Sequence, residues 1–243
     1  MEQDFWKLRS RISWLNDGDA KTRFYHVMAS NRKRRNAIIK ELLQGEQEIE
    51  IRWNKPPENT IKLNIDGVFS KSTLEAGLGE VFRNKNGDWI FGYCRSTYAS
   101  SVMHCELMAL HEGLKIAQQL DLPNIDKETD STDTMLLLNE NNPNFYNLIF
   151  ECRLLMHQLK HPILRHNFRE GNVIAHLLAK EAVKNFKVPK CVHHARTPCF
   201  VEPQLLKDKY GYSIRSKFVT SAICEKLAKF GNENVLRDYV RTV

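Results

Sequence analysis

Two periodicities alternate between Ile61 and Val183, and this alternation most restricts what the chain can fold into. Ile61-Lys-Leu-Asn-Ile-Asp-Gly-Val-Phe sets apolar against polar residues as a half-buried strand does. Ala76–Phe82 and Trp89–Cys94 read as two further strands. Between them, Arg83-Asn-Lys-Asn-Gly-Asp carries the turn chemistry of a hairpin. From Val102 to Leu120 the pattern changes to helical spacing, with Leu107, Leu110, Leu114 and Ala117 on one stripe. A weaker strand follows at Leu122–Asp130, then a short helix capped by Ser131 and running to Asn139. A helix at Phe145–Leu159, a strand at Ile163–Phe168 and a helix at Asn172–Val183 complete the series. A three-strand meander followed by alternating helices and strands predicts an α/β fold, a mixed sheet covered by helices.

Outside this block the composition changes. Trp53-Asn-Lys-Pro-Pro-Glu-Asn is a boundary, because paired prolines force extended chain. Residues 1–50 read as a basic helical extension containing Arg32-Lys33-Arg34-Arg35, and 53–184 as the α/β domain. Residues 185–243 read as a basic extension whose helical spacing (Val219, Ile223, Leu227, Phe230) ends at Gly231. Net charge is +7, distributed unevenly: residues 1–40 carry +6, 41–179 carry −6 and 180–243 carry +7. An acidic middle favours cations, and basic flanks favour polyanions such as nucleic acid. Arg32–Arg35 reads either as a phosphate-contacting or nuclear-import patch or as a solvated helix face.

No apolar run is long enough for a membrane span. The first residues lack the apolar core of a secretory signal, so a nuclear or cytoplasmic location with six reduced cysteines is expected. Cys191, His193, His194 and Cys199 match no familiar zinc spacing and read as a loop with incidental ligands.

Three acids stand at element ends on the expected inner side: Asp66 closing the first strand, Glu106 in the first turn of the long helix, and Asp130 closing the fourth strand. Each alone has a plain reading, respectively a strand-end acid, a helix N-terminal charge and a helix cap. Together, inward acids need a positive partner, and oxygen-rich clusters suit Mg²⁺. Gly67, beside Asp66, admits close approach by a backbone or a ligand.

Five segments then carry a family resemblance: Lys62-Leu-Asn-Ile-Asp-Gly; Ala76-Gly-Leu-Gly-Glu-Val-Phe-Arg; Cys105-Glu-Leu-Met-Ala-Leu-His-Glu-Gly-Leu; Glu128-Thr-Asp-Ser; and His166-Asn-Phe-Arg-Glu-Gly-Asn-Val-Ile-Ala. In this order, residues 53–184 resemble the type 1 ribonuclease H domain, in the form found in plant proteins related to non-LTR retrotransposons. The resemblance implies a five-stranded mixed sheet flanked by helices, with Asp66, Glu106 and Asp130 as ligands of two Mg²⁺ ions that cleave the RNA strand of an RNA/DNA hybrid. It further implies that Gly77 and Gly79 let main-chain groups approach the hybrid and that Ser131 helps at its backbone. His166 corresponds to the family's mobile histidine, which assists proton transfer or product release. Trp6 to His26 is similar to the segment preceding the polymerase of such retroelement polyproteins, but no Tyr/Phe-x-Asp-Asp motif occurs.

The chain departs from the family at His176, where a fourth carboxylate is expected. Imidazole is a poor Mg²⁺ ligand and suits softer metals better. Weakened binding at one metal position is therefore expected, with reduced Mg²⁺-dependent turnover and relative rescue by Mn²⁺. Two rival readings remain at this stage, a nucleic-acid-binding module without efficient cleavage and a degenerate retroelement product. The sequence leaves oligomeric state open.

Overall fold

The computed structural model describes residues 46–122, 124–140, 142–159, 163–184, 188–212 and 215–241. The chain divides into two units at Gln47/Glu48, and the second holds the whole architecture below except the first two residues of one strand. The expected helical extension over 1–45 and its basic cluster lie outside the described residues.

Three strands, β2 (Ile61–Phe69), β3 (Glu75–Arg83) and β4 (Trp89–Tyr98), form the antiparallel meander. Its tight turn is built by Asn84, whose Oδ1 accepts from the backbone N–H of Asn86 and Asp88, and by Gly87 at φ +81°. Helix α1 (Val102–Gln119) begins where Ser101 accepts from the His104 N–H. It crosses over to β5 (Ile125–Thr129), which pairs parallel with β2. Helices α2 (Thr132–Asn139) and α3 (Tyr146–Gln158) lead to β6 (Leu164–His166), parallel to β5. Helix α4 (Val173–Val183) follows.

The sheet then gains a strand beyond the expected five. β7 (Cys191–His194) pairs antiparallel with β4, giving the order β6-β5-β2-β3-β4-β7. This is the stretch read as a loop. Its four residues have no apolar run, and it is held as an edge strand by β4. Cys191 Sγ lies 3.3 Å from His193 Nε2, yet among the described residues no metal-ligating cluster of three forms there. All six cysteines are free.

Helices cover both faces of the sheet. On one, Leu63, Ile65 and Phe82 pack with Leu110, Leu114, Cys152 and Met156 of α1 and α3. On the other, Val81 and Cys94 pack with Ile174, Ala175 and Leu178 of α4.

Two local expectations change. Residues 46–50, read as helical, are strand: β1 (Glu46–Ile51) pairs with β8 (Arg215–Thr220), part of the segment expected to begin a helix. Pairing and burial override local propensity here, because Ile49 and Ile51 are fully buried with Val219 and Leu227. Helix α6 starts only at Ser221 (Ser221–Lys229), and Ile223 points outward. It is followed by α7 (Glu233–Arg241), while α5 (Glu202–Lys209) lies earlier in the chain.

A buried polar network ties these later elements to the sheet. Asn64 accepts from Trp53 Nε1 (2.9 Å) and Arg83 (2.7 Å) and donates to Glu128 (3.0 Å). Arg83, stacked on Trp53, pairs with Asp208 of α5 at 2.6 Å. Lys62 pairs with Glu128 at 2.5 Å and lies 3.8 Å from Glu233 of α7. Asn234 donates to Asn167, and Asn167 to Glu128.

Candidate metal centre

Three elements deliver the acids to one place. Asp66 sits on the face of β2 that looks towards α4, opposite Gly79 in the ladder. Glu106 projects from the start of α1, where the absence of a Cβ at Gly67 lets the helix close onto the strand: an added Cβ would lie 2.8 Å from Cys105 Sγ and 3.0 Å from the Glu106 N. That contact lets the Gly67 N–H donate to the Glu106 carboxylate. Asp130 follows the last residue of β5, whose parallel register with β2 ends at Ile65–Thr129, so the two acids extend side by side. Oxygens from Asp66, Glu106 and Asp130 lie within 4.8 Å of one another.

The electrostatics are those of an under-compensated acidic site. Burial, then the charges of Asp66 and Asp130, hold the Glu106 carboxyl well above the usual range. Burial, then the Asp66 charge and a hydrogen bond to Asp66, push Asp130 up to about 7. Glu106 Oε2 is buried with no hydrogen-bond partner. A buried acceptor without a donor, facing two more carboxylates, fits a hard divalent cation with oxygen ligands.

His176 of α4 stands at the same place. Its Nδ1 is 2.9 Å from Asp66 Oδ2, the imidazole donating to the carboxylate. The helix is set against β2 by Asn172, which donates to the Ile65 carbonyl at 2.8 Å. Arg169 lies beside it, its guanidinium 3.5 Å from both ring nitrogens of His176, and its charge acts on Glu106 and Asp130. Sequence reasoning did not single out Arg169 or Asn172. Arg169 falls in an irregular stretch where no periodicity assigns direction, and Asn172 was read only as the first residue of the last helix of the series.

Other expected site residues have different positions. Gly77 and Gly79 are buried under α4: added Cβ atoms would lie 2.1 Å from the Ala179 carbonyl oxygen and 2.3 Å from the Ala175 carbonyl oxygen. The close approach they permit is by a helix and not by a hybrid. His166, expected to be mobile, is 5% exposed and held by Asn232 at 2.7 Å, with its own N–H bonded to the Phe230 carbonyl. Asn232 and Phe230, from the segment after residue 184, thus fix this residue. Ser131 caps α2, its Oγ accepting from the Thr134 N–H and hydroxyl. Gly67 serves the α1 contact described above.

Residues 64–182 match the family model described as reverse transcriptase-like. This segment is similar to the reverse transcriptase-like family. The reverse transcriptase-like segment contains all three acids, Arg169 and His176. Several solved structures are similar to it at low identity. Ribonuclease H1 from the archaeon Halobacterium salinarum is 21% identical, covering 51% of this chain and 97% of its own, with a TM-score of 0.48. A ribonuclease H1 isolated from compost, in complex with an RNA/DNA hybrid, is 18% identical, covering 51% and 96%, with a TM-score of 0.47. The foamy viral protease-reverse transcriptase in complex with double-stranded DNA is 15% identical, covering 52% and 94%, with a TM-score of 0.42. No curated protein matches the chain.

Proposed function

We propose that the protein is a divalent-metal-dependent nuclease of the ribonuclease H type, hydrolysing the RNA strand of an RNA/DNA hybrid at a rate limited by His176. The observation that carries this reading is the convergence of Asp66, Glu106 and Asp130 from β2, α1 and the end of β5, with Glu106 Oε2 buried and unpartnered. The match of residues 64–182 to the reverse transcriptase-like family model supports it. Asp66, Glu106 and Asp130 would hold the metal, Mg²⁺ or Mn²⁺. When bound, the cation would activate a water and offset charge developing at the scissile phosphate.

The chain's own residues supply position and charge. The Gly67 N–H orients the Glu106 carboxylate, and Asn172 fixes the start of α4 against β2. His176 holds one oxygen of Asp66. Arg169 is exposed beside the acids, where its guanidinium can meet a phosphate entering the site. Substrate would be recognised by hybrid shape and 2′-hydroxyls. A nuclear or cytoplasmic location is proposed with this reading. No helix among the described residues is long and apolar enough to cross a membrane.

A second reading, a hybrid-binding module that does not cleave, is favoured by one observation: an imidazole and a guanidinium crowd the acids. A labelled RNA/DNA hybrid incubated in Mg²⁺ or Mn²⁺ separates the two. Cleavage that disappears in Asp66→Asn supports the nuclease. Salt-sensitive binding without cleavage in either metal supports the module.

A further inference from the structure

We infer that this centre takes a single divalent ion, because among the described residues only three acids converge there and an imidazole and a guanidinium stand beside Asp66 in place of a further anion. The inference rests on the metal-site reading above and concerns stoichiometry, a separate property. Asp66 Oδ2 is the oxygen already engaged, 2.9 Å from His176 Nδ1. The imidazole takes up one lone pair of this oxygen and the space on that side of the carboxylate, and offers the site no negative charge. Arg169 backs the same ring at 3.5 Å and is permanently cationic. Glu106 Oε2, by contrast, is buried and lacks any donor, so it is an oxygen free to coordinate a cation beside Asp66 and Asp130.

Charge balance leads to the same number. With a cation bound in place of their protons, the three carboxylates carry −3 and Arg169 carries +1, so one divalent ion brings the cluster to neutrality. A second would leave it at +2 in a largely buried setting, which is costly without further anions. A carboxylate at position 176 in place of imidazole would supply one of those anions and free Asp66 Oδ2.

The test is titration of the full chain with Mn²⁺ alone, reading bound ions per chain by calorimetry and by the electron paramagnetic signal of free Mn²⁺. One ion per chain is expected for the unmodified protein, two for His176→Asp, and a loss of binding for Asp66→Asn. Arg169→Gln changes an exposed side chain and should tighten the single ion by about tenfold through removal of a like charge. Two ions bound by the unmodified protein, or one still bound by His176→Asp with its helical signal intact, would overturn the inference while leaving a metal-dependent nuclease standing. Absence of any Mn²⁺ binding would overturn both readings. Hybrid cleavage that survives Asp66→Asn, with one ion still bound to the unmodified protein, removes the proposed chemistry and leaves the stoichiometry intact.

Discussion

His176 sets the activity expected of the site. It meets Asp66 directly, so replacing imidazole by a carboxylate both frees that oxygen and adds negative charge. His176→Asp should raise the Mg²⁺-dependent hybrid cleavage rate by about tenfold or more, a modest share of the transition-state charge stabilisation such groups provide. A rate unchanged or lower in a steady-state assay would contradict this. Glu80 tests burial in the same domain. Its carboxyl is fully buried between β3 and α1 with neither oxygen hydrogen-bonded. Burial first, then Glu112 and Cys191, raise it well above the usual range, with Arg95 opposing. The folded state therefore holds this proton more tightly than the unfolded chain does. Stability from this group is full below the ordinary glutamate range and is lost as pH rises towards the elevated folded value. Glu80→Gln should flatten that decline and leave the protein about 1–2 kcal/mol more stable at pH 8, read by urea unfolding across pH. An equal slope in both proteins would refute it.

At the scale of elements, α4 against β3 is the contact that sets the position of His176. Ala175 and Ala179 flank His176 along the helix, and their backbone atoms rest on Gly79. Gly79→Ala would bring a Cβ to 2.3 Å from that backbone, so the helix must lift from the sheet. Overpacking of this kind costs roughly 1–3 kcal/mol or more. Thermal melting should show the loss, and the Mn²⁺ stoichiometry should change with it as His176 withdraws from Asp66. Elements with a strong period were legible from the chain alone. The meander, the long helix from Val102 and the helix ending at Val183 needed no tertiary information, because each carries its own burial pattern. β1, β7 and β8 were not legible. Each is held by pairing with a distant segment, and only β1 carries an alternation of its own, over the four residues Glu48–Ile51.

For the whole molecule, residues 188–212 and 215–241 are built into the fold. They contribute the edge strand β7, hold His166 through Asn232 and place Asp208 against the fully buried Arg83. Asp208→Ala would leave that guanidinium buried without its partner acid, at a cost of about 3–5 kcal/mol. Guanidinium chloride unfolding should register it, and a change below about 1 kcal/mol would mean that Trp53 and Asn64 suffice for Arg83.

The order of strands and helices from Ile61 to Val183, and which elements carry the acids, were fixed by alternation of apolar and polar residues and by turn and cap residues, all short-range properties of the chain, although Asp66 lies within β2 rather than at its end and Glu106 lies beyond the first turn of α1. That Arg169 stands by the acids, that Gly77 and Gly79 lie under a helix, and that His166 is clamped were decided only by packing. These contacts join residues from about seven to more than a hundred positions apart, and no local periodicity carries that information.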